Sequence, residues 1–115
     1  MGASLIDAAV FGELQHAAGA DFVAELVQTF LEEAPTLLGE LRAARQAGDA
    51  ERFRRAAHSL KSNSQTFGAT ALGAAARALE LAGLAADAAH DERAIQALEA
   101  EYQGAAAALK EICHG

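Results

Sequence analysis

Apolar residues recur three and four positions apart along nearly the whole of this chain, and nowhere do they alternate with polar residues over a strand-length run. Spacings of three, four and seven line up side chains on one face of an α-helix, whereas a half-buried strand needs a period of two. The chain therefore reads as helical throughout. Leu5, Ala9, Val10 and Leu14 predict a short first helix that ends near Gly19. Asp21 is placed to cap a second helix, whose stripe of Val23, Leu26, Val27, Phe30, Ala34, Leu37, Leu41 and Ala44 stops at Gly48. Pro35 interrupts that stripe. It lacks an amide hydrogen and crowds the carbonyl four residues back, so it predicts a kink or a break into two shorter helices. Asp49 is a natural cap for a third helix carrying Phe53, Ala56, Ala57, Leu60, Ser64 and Phe67 and closed by Gly68. Leu72, Ala75, Ala76, Leu79 and Ala82 form a fourth stripe, and Ile95, Leu98, Tyr102, Ala105, Leu109 and Ile112 a fifth, with Leu84 to Asp91 read as the loop between them. Short connections join antiparallel neighbours, so the expected architecture is all-α: an up-and-down antiparallel four-helix bundle with a short extra N-terminal helix as a lid.

A length of 115 residues fits one domain, 1–115, able to bury roughly two-thirds of its unfolded surface. The single Cys, Cys113, has no internal partner for a disulfide, so nothing in the sequence demands an oxidising compartment. No apolar run approaches the roughly 18 residues of a membrane span, and the start MGASLI lacks the pattern of a signal peptide or a myristoylation motif. These features predict a soluble, cytoplasmic protein with no membrane partner. A net charge of −7 argues against a nucleic-acid partner. The charge is nonetheless polarised. Six cationic residues between Arg42 and Lys61 face only Asp49 and Glu51, a local +4 that leaves the remainder at −11.

His58 lies within that basic segment. At about 100° per residue it points roughly 200° away from the core residue Leu60, so its ring faces outward. Arg54, Lys61, Ser62 and Gln65, at spacings of four, three, four and seven, fall on the same side of the helix. The cations would stabilise a dianionic phosphoryl group carried on the ring, and the small residues Ser59, Ser62 and Ser64 leave room for another protein to reach it. A solvated surface histidine, or a helical interaction module without phosphate chemistry, is the alternative that these residues leave open; acid-labile phosphorylation at His58 would distinguish them.

Other chemistries find less support. Glu13 with His16, Asp87 with His90 and Glu111 with His114 each imitate half of a di-iron motif. His16 faces away from Leu14, His90 falls in the expected loop and His114 is penultimate, so the three do not converge and no metal site is expected. Ser59 and Ser62 flank His58 on its own helix, but no strand-turn-helix Ser motif or oxyanion loop accompanies them, which argues against a hydrolase.

The segment AHSLKSNSQTFGATALGAAARALE, Ala57 to Glu80, resembles the signature of histidine-containing phosphotransfer (HPt) domains of phosphorelays. The likeness rests on His58, Lys61, the small residues Ser62 and Ser64, Gly68, Ala69, Leu72 and the closing Leu79-Glu80. The preceding FLEEAPTLLGELRAARQAGD resembles the long second helix of the family, with its Pro and its Gly-Asp turn. Ser62 departs from the Gly of many members and implies somewhat reduced clearance beside the ring. The resemblance implies that His58 accepts a phosphoryl group from a receiver-domain aspartyl phosphate and passes it to another receiver aspartate, with Lys61 assisting electrostatically. It implies partners of two kinds, response-regulator receiver domains and a hybrid sensor histidine kinase, and Mg²⁺ carried by the receiver, with no cofactor on this chain. With no phosphate cradle or P-loop in the sequence, ATP-dependent autokinase activity is not expected.

In a hairpin that turns near Gly68, His58 lies level with Ala78 to Leu81. Glu80, on the flank of its core stripe, is therefore the candidate to accept a hydrogen bond from Nδ1 and leave Nε2 free. Arg54, Arg55 and Lys61, with Ser62, Gln65 and Gly68, form the expected docking surface of a monomer. Ile6 and Phe11 of the first helix either add an apolar patch to it or staple that helix to the bundle.

Overall fold

The computed structural model describes residues 5–85 and 87–114, with the side chains of residues 88 and 114 outside the description. Five helices follow one another: α1 (Ala8–Ala18), α2 (Ala20–Ala47), α3 (Ala50–Thr66), α4 (Thr70–Ala82) and α5 (Ala88–His114). The long helices α2 and α5 pair antiparallel along one side, α3 and α4 form a tight hairpin on the other, and α1 lies across the end of the bundle where that hairpin turns. This is an all-α bundle of four helices with a short N-terminal helix added. Its core is a single cluster running from Ile6 to Leu109, with Phe53, Leu41, Leu60, Leu72, Ile95, Leu98 and Leu109 among its fully buried side chains. Each such side chain contributes about 1.5–3 kcal/mol on transfer out of water. Among the described residues no helix is long and apolar enough to cross a membrane.

The helix ends explain the connections. The Asp49 carboxylate accepts from the Arg52 amide at 3.0 Å and starts α3, immediately after Gly48 closes α2 in the left-handed conformation at φ +69°. α1 is capped by Asp7, which accepts from the amides of Ala9 and Val10. Asp21 does not cap α2. Gly19 precedes the helix directly, and Asp21 sits in its first turn, where a negative charge still opposes the positive end of the helix dipole.

Pro35 does not divide α2, which runs unbroken for 28 residues. The missing Pro35 amide takes away the usual donor for the Leu31 carbonyl, and the Tyr102 hydroxyl of α5 donates to that oxygen at 3.3 Å. A neighbouring helix thus supplies the hydrogen bond that the chain itself cannot make. The same ring packs edge-on to Phe30 at 6.0 Å, and Phe30 in turn meets Phe67 at 5.4 Å, tying α2, α5 and the hairpin turn together.

The expected loop from Leu84 to Asp91 is shorter than the sequence pattern suggested. Helix α5 begins at Ala88, with the Asp87 carboxylate accepting from the Ala89 amide at 2.9 Å. Its apolar stripe starts only at Ile95, so periodicity gives no signal for the first turns. Asp91 is 2% exposed, accepts from the Ala85 amide with both oxygens, and lies 2.8 Å from Arg45 Nε.

Ile6 and Phe11 are buried, which makes them the staple of α1 to the bundle and not an exposed patch. Gly68 is buried as well and does not belong to the docking surface. Its carbonyl accepts from the Asp7 amide at 2.7 Å, and at φ +78° a Cβ there would stand 2.9 Å from the Asp7 carbonyl oxygen. Glycine at this position lets α1 close onto the hairpin turn.

Candidate functional site

The site is built by the closeness of α3 to α4. Gly73 of α4 is buried against α3; a Cβ there would come within 3.3 Å of Gln65 Cγ and 3.8 Å of the Lys61 carbonyl oxygen. Ala57, Ala69 and Ala76 are also buried, so the two backbones approach with little bulk between them. Ser64 fits the same seam because its hydroxyl donates back to the Leu60 carbonyl at 2.6 Å, leaving no unpaired polar group. With the turn fixed at Gly68, the hairpin register sets residue 58 opposite residue 80. Gly73 carried no periodic signal in the sequence, and its role is seen only in the packing.

His58 is 53% exposed on the outer flank of α3, while Glu80 retains only 13% side-chain exposure in the crevice between the helices. The two meet at 2.7 Å between Nδ1 and Glu80 Oε2. The other oxygen, Oε1, lies 2.9 Å from Lys61 Nζ. The Lys61 ammonium, and after it the hydrogen bond from His58, hold the Glu80 carboxyl below the ordinary value of 4.5, so it is an ionised acceptor at neutral pH. A carboxylate can only accept, so in the neutral ring the shared proton sits on Nδ1 and Nε2 keeps its lone pair. Among the described residues nothing hydrogen-bonds Nε2. The triad thus presents one uncommitted imidazole nitrogen to solvent, with a cation three residues along the same helix.

The remaining residues of the basic segment are less free than the sequence suggests. Arg54 Nη2 is 2.6 Å from Glu51, Arg52 Nε is 2.6 Å from Glu40, and Arg55 Nε lies 3.9 Å from Glu51. Ser62 and Gln65 are exposed beside His58, as are Arg54 and Arg55. On the side of His58 away from Glu80, an open groove of about 580 Å³ separates α3 from α2, with Leu37 and Thr36 facing Ser59 and Asn63 across it. No group of three or more His, Cys, Asp or Glu side chains among the described residues is placed to hold a metal ion. The His114 side chain, part of one of the three sequence patterns for a metal site, lies outside the described residues.

The family model described as "Hpt domain" matches residues 25–114 of this chain. The crystal structure of histidine-containing phosphotransfer protein B (HptB) from Pseudomonas aeruginosa PAO1 matches at a TM-score of 0.83 and 30% sequence identity, covering 97% of this chain and 96% of that one. No curated protein sequence matches the chain significantly.

Proposed function

The chain belongs to the Hpt domain family, whose work is histidine phosphotransfer in phosphorelays, and from that premise we propose that His58 is its phosphoryl-accepting residue. The observation that carries this reading is the triad itself: Nδ1 of an exposed histidine held on a carboxylate at 2.7 Å, with Nε2 left free. The donor is an aspartyl phosphate on a receiver domain. The Nε2 lone pair attacks phosphorus in line, the bond from phosphorus to the aspartate oxygen breaks, and the aspartate leaves as a carboxylate with the bonding electrons. The ring, still protonated at Nδ1, takes on positive charge as the N–P bond forms, and the Glu80 carboxylate offsets it across the hydrogen bond. Glu80 is thus a positioning residue that fixes the tautomer. Lys61 supplies positive charge beside the incoming phosphoryl oxygens. Return of the group to a second receiver runs the same steps backward.

Mg²⁺ belongs to the receiver in this scheme, where it neutralises charge around the aspartate; the Hpt chain contributes the nucleophile and its orientation. The exposed side chains of Arg54, Arg55, Ser62 and Gln65 surround His58 and border the docking partner. A receiver domain phosphorylated on its aspartate tests the reading. Mixed with this chain, it should yield an acid-labile, base-stable label on His58 that a second receiver removes. A label stable to acid, or one on any residue but His58, would contradict the assignment.

A further inference from the structure

The groove beside His58 continues past Leu37 and Ser59 into a second hollow of about 320 Å³ that reaches Arg52 and Arg55. Its two ends differ in charge. At the end where His58, Ser62 and Asn63 stand, the α2 wall carries Glu32 and Glu33, both exposed. Among the described residues Glu32 accepts only from the neutral amide of Gln28, at 3.2 Å, and Glu33 enters no ion pair. At the far end Arg55 is 69% exposed and only 3.9 Å from its nearest carboxylate, a loose contact. The cations closest to His58 along α3 are tied up, Lys61 by Glu80 and Arg54 by Glu51. Paired charges cancel at a distance, so an approaching partner meets the unpaired ones: two carboxylates on α2 next to the reactive ring, an apolar strip at Leu37 and Ala56, and a guanidinium beyond.

We propose that the α2 rim formed by Glu32 and Glu33 selects the receiver partner, by docking a receiver surface that carries Lys or Arg beside its reacting aspartate, with an apolar contact on Leu37 and an acidic residue toward Arg55. This rests on the phosphotransfer reading and reverses the sign of the steering that the basic segment of the sequence suggests. The rim has a second consequence. A phosphoryl group on His58 adds negative charge to a wall that is already negative, so the phosphorylated chain holds a cationic partner more tightly than the free chain does, and a partner lacking cations is turned away in both states.

The experiment compares the chain with Glu32→Lys/Glu33→Lys, using two phosphodonors. One is phosphoramidate, which needs no docking. The other is the phosphorylated receiver domain, from those encoded in the same genome, that labels the wild-type chain fastest. Both positions are exposed on one face of a long helix, so circular dichroism should match. The expected result is labelling by phosphoramidate within about twofold of wild type, together with an increase of about tenfold or more in KM for the receiver that shrinks as salt is raised. A receiver whose basic residue is exchanged for an acid should recover most of that loss. Unchanged receiver kinetics at low salt would overturn the proposal, and so would a wild-type dimer that the double reversal dissociates, since a second copy would then own the groove. Failure of phosphoramidate and of every phosphorylated receiver tried to label wild-type His58 would instead overturn the phosphotransfer reading.

Discussion

Two of the charge clusters that cross between helices among the described residues each set cations against carboxylates, and they are arranged to opposite ends. Between α2 and α5, Arg42 forms hydrogen bonds to Glu99 with two of its nitrogens and to Glu92 with a third contact of 2.8 Å, and Arg45 meets the buried Asp91 one turn further along. Between α3 and α4, Glu80 is divided between Lys61 and His58. In the first cluster the carboxylates are used up on guanidinium, which locks two helices and leaves nothing reactive. In the second, one partner is an imidazole, and a ring held by one nitrogen still offers the other. In the function proposed here, the chemistry comes from that incomplete pairing, placed where the partner is half exposed.

The contrast is broken most completely by His58→Gln. Transfer from a phosphorylated receiver should fall to background, while the melting temperature moves by no more than about 2 °C, because an exposed ring gives up little packing. Asp91→Ala should do the reverse. It strands the Ala85 amide and leaves Arg45 without its counter-ion, a loss of about 3 kcal/mol by denaturant titration. Phosphoryl transfer per folded molecule should survive in that variant. Lys61→Ala belongs with the first group: transfer should slow roughly ten- to hundredfold, with the Glu80 contact to His58 intact.

The smallest effect concerns the outer pairs. The Arg42 hydrogen bonds hold the Glu99 carboxyl below its ordinary value of 4.5. A carboxyl lowered in the folded state adds stability above its unfolded value and loses it as pH falls through the folded one. Stability should therefore be level from neutrality down to about pH 5 and decline below about 4.5. Arg42→Ala should flatten that decline and cost only about 0.5–1 kcal/mol at pH 7, because the pair is a third exposed and screened. Urea titrations at pH 7 and pH 4 measure both quantities.

The same contrast separates what could be read in the sequence from what could not. Helical periodicity marks five helices because each buries a stripe, and the stripe is written residue by residue in positions such as Val23, Val27 and Phe30 or Ile95, Leu98 and Tyr102. The level of Glu80 with His58 follows from counting outward from a single turn at Gly68. Contacts between α2 and α5 have no such anchor. They join residues 46 to 71 positions apart, so neither the burial of Asp91 nor the Tyr102 bond that spares α2 at Pro35 has a local signature. The basic segment misleads for a related reason. Formal charge is local, whereas its neutralisation by Glu40, Glu51 and Glu80 depends on which helices meet. Gly68 has the spacing of a site residue, but its backbone is given over to seating α1.

The claim at the centre of this account is that Glu80 holds Nδ1 and so directs phosphorus to Nε2. It is tested most directly by labelling the imidazole nitrogens with ¹⁵N, phosphorylating the intact chain with phosphoramidate and recording phosphorus–nitrogen couplings by NMR. The account predicts coupling to Nε2 of His58, a proton retained on Nδ1, and a mixture of ring tautomers in the unphosphorylated Glu80→Gln variant. Coupling to Nδ1, or a Glu80→Gln spectrum identical to wild type, would contradict it.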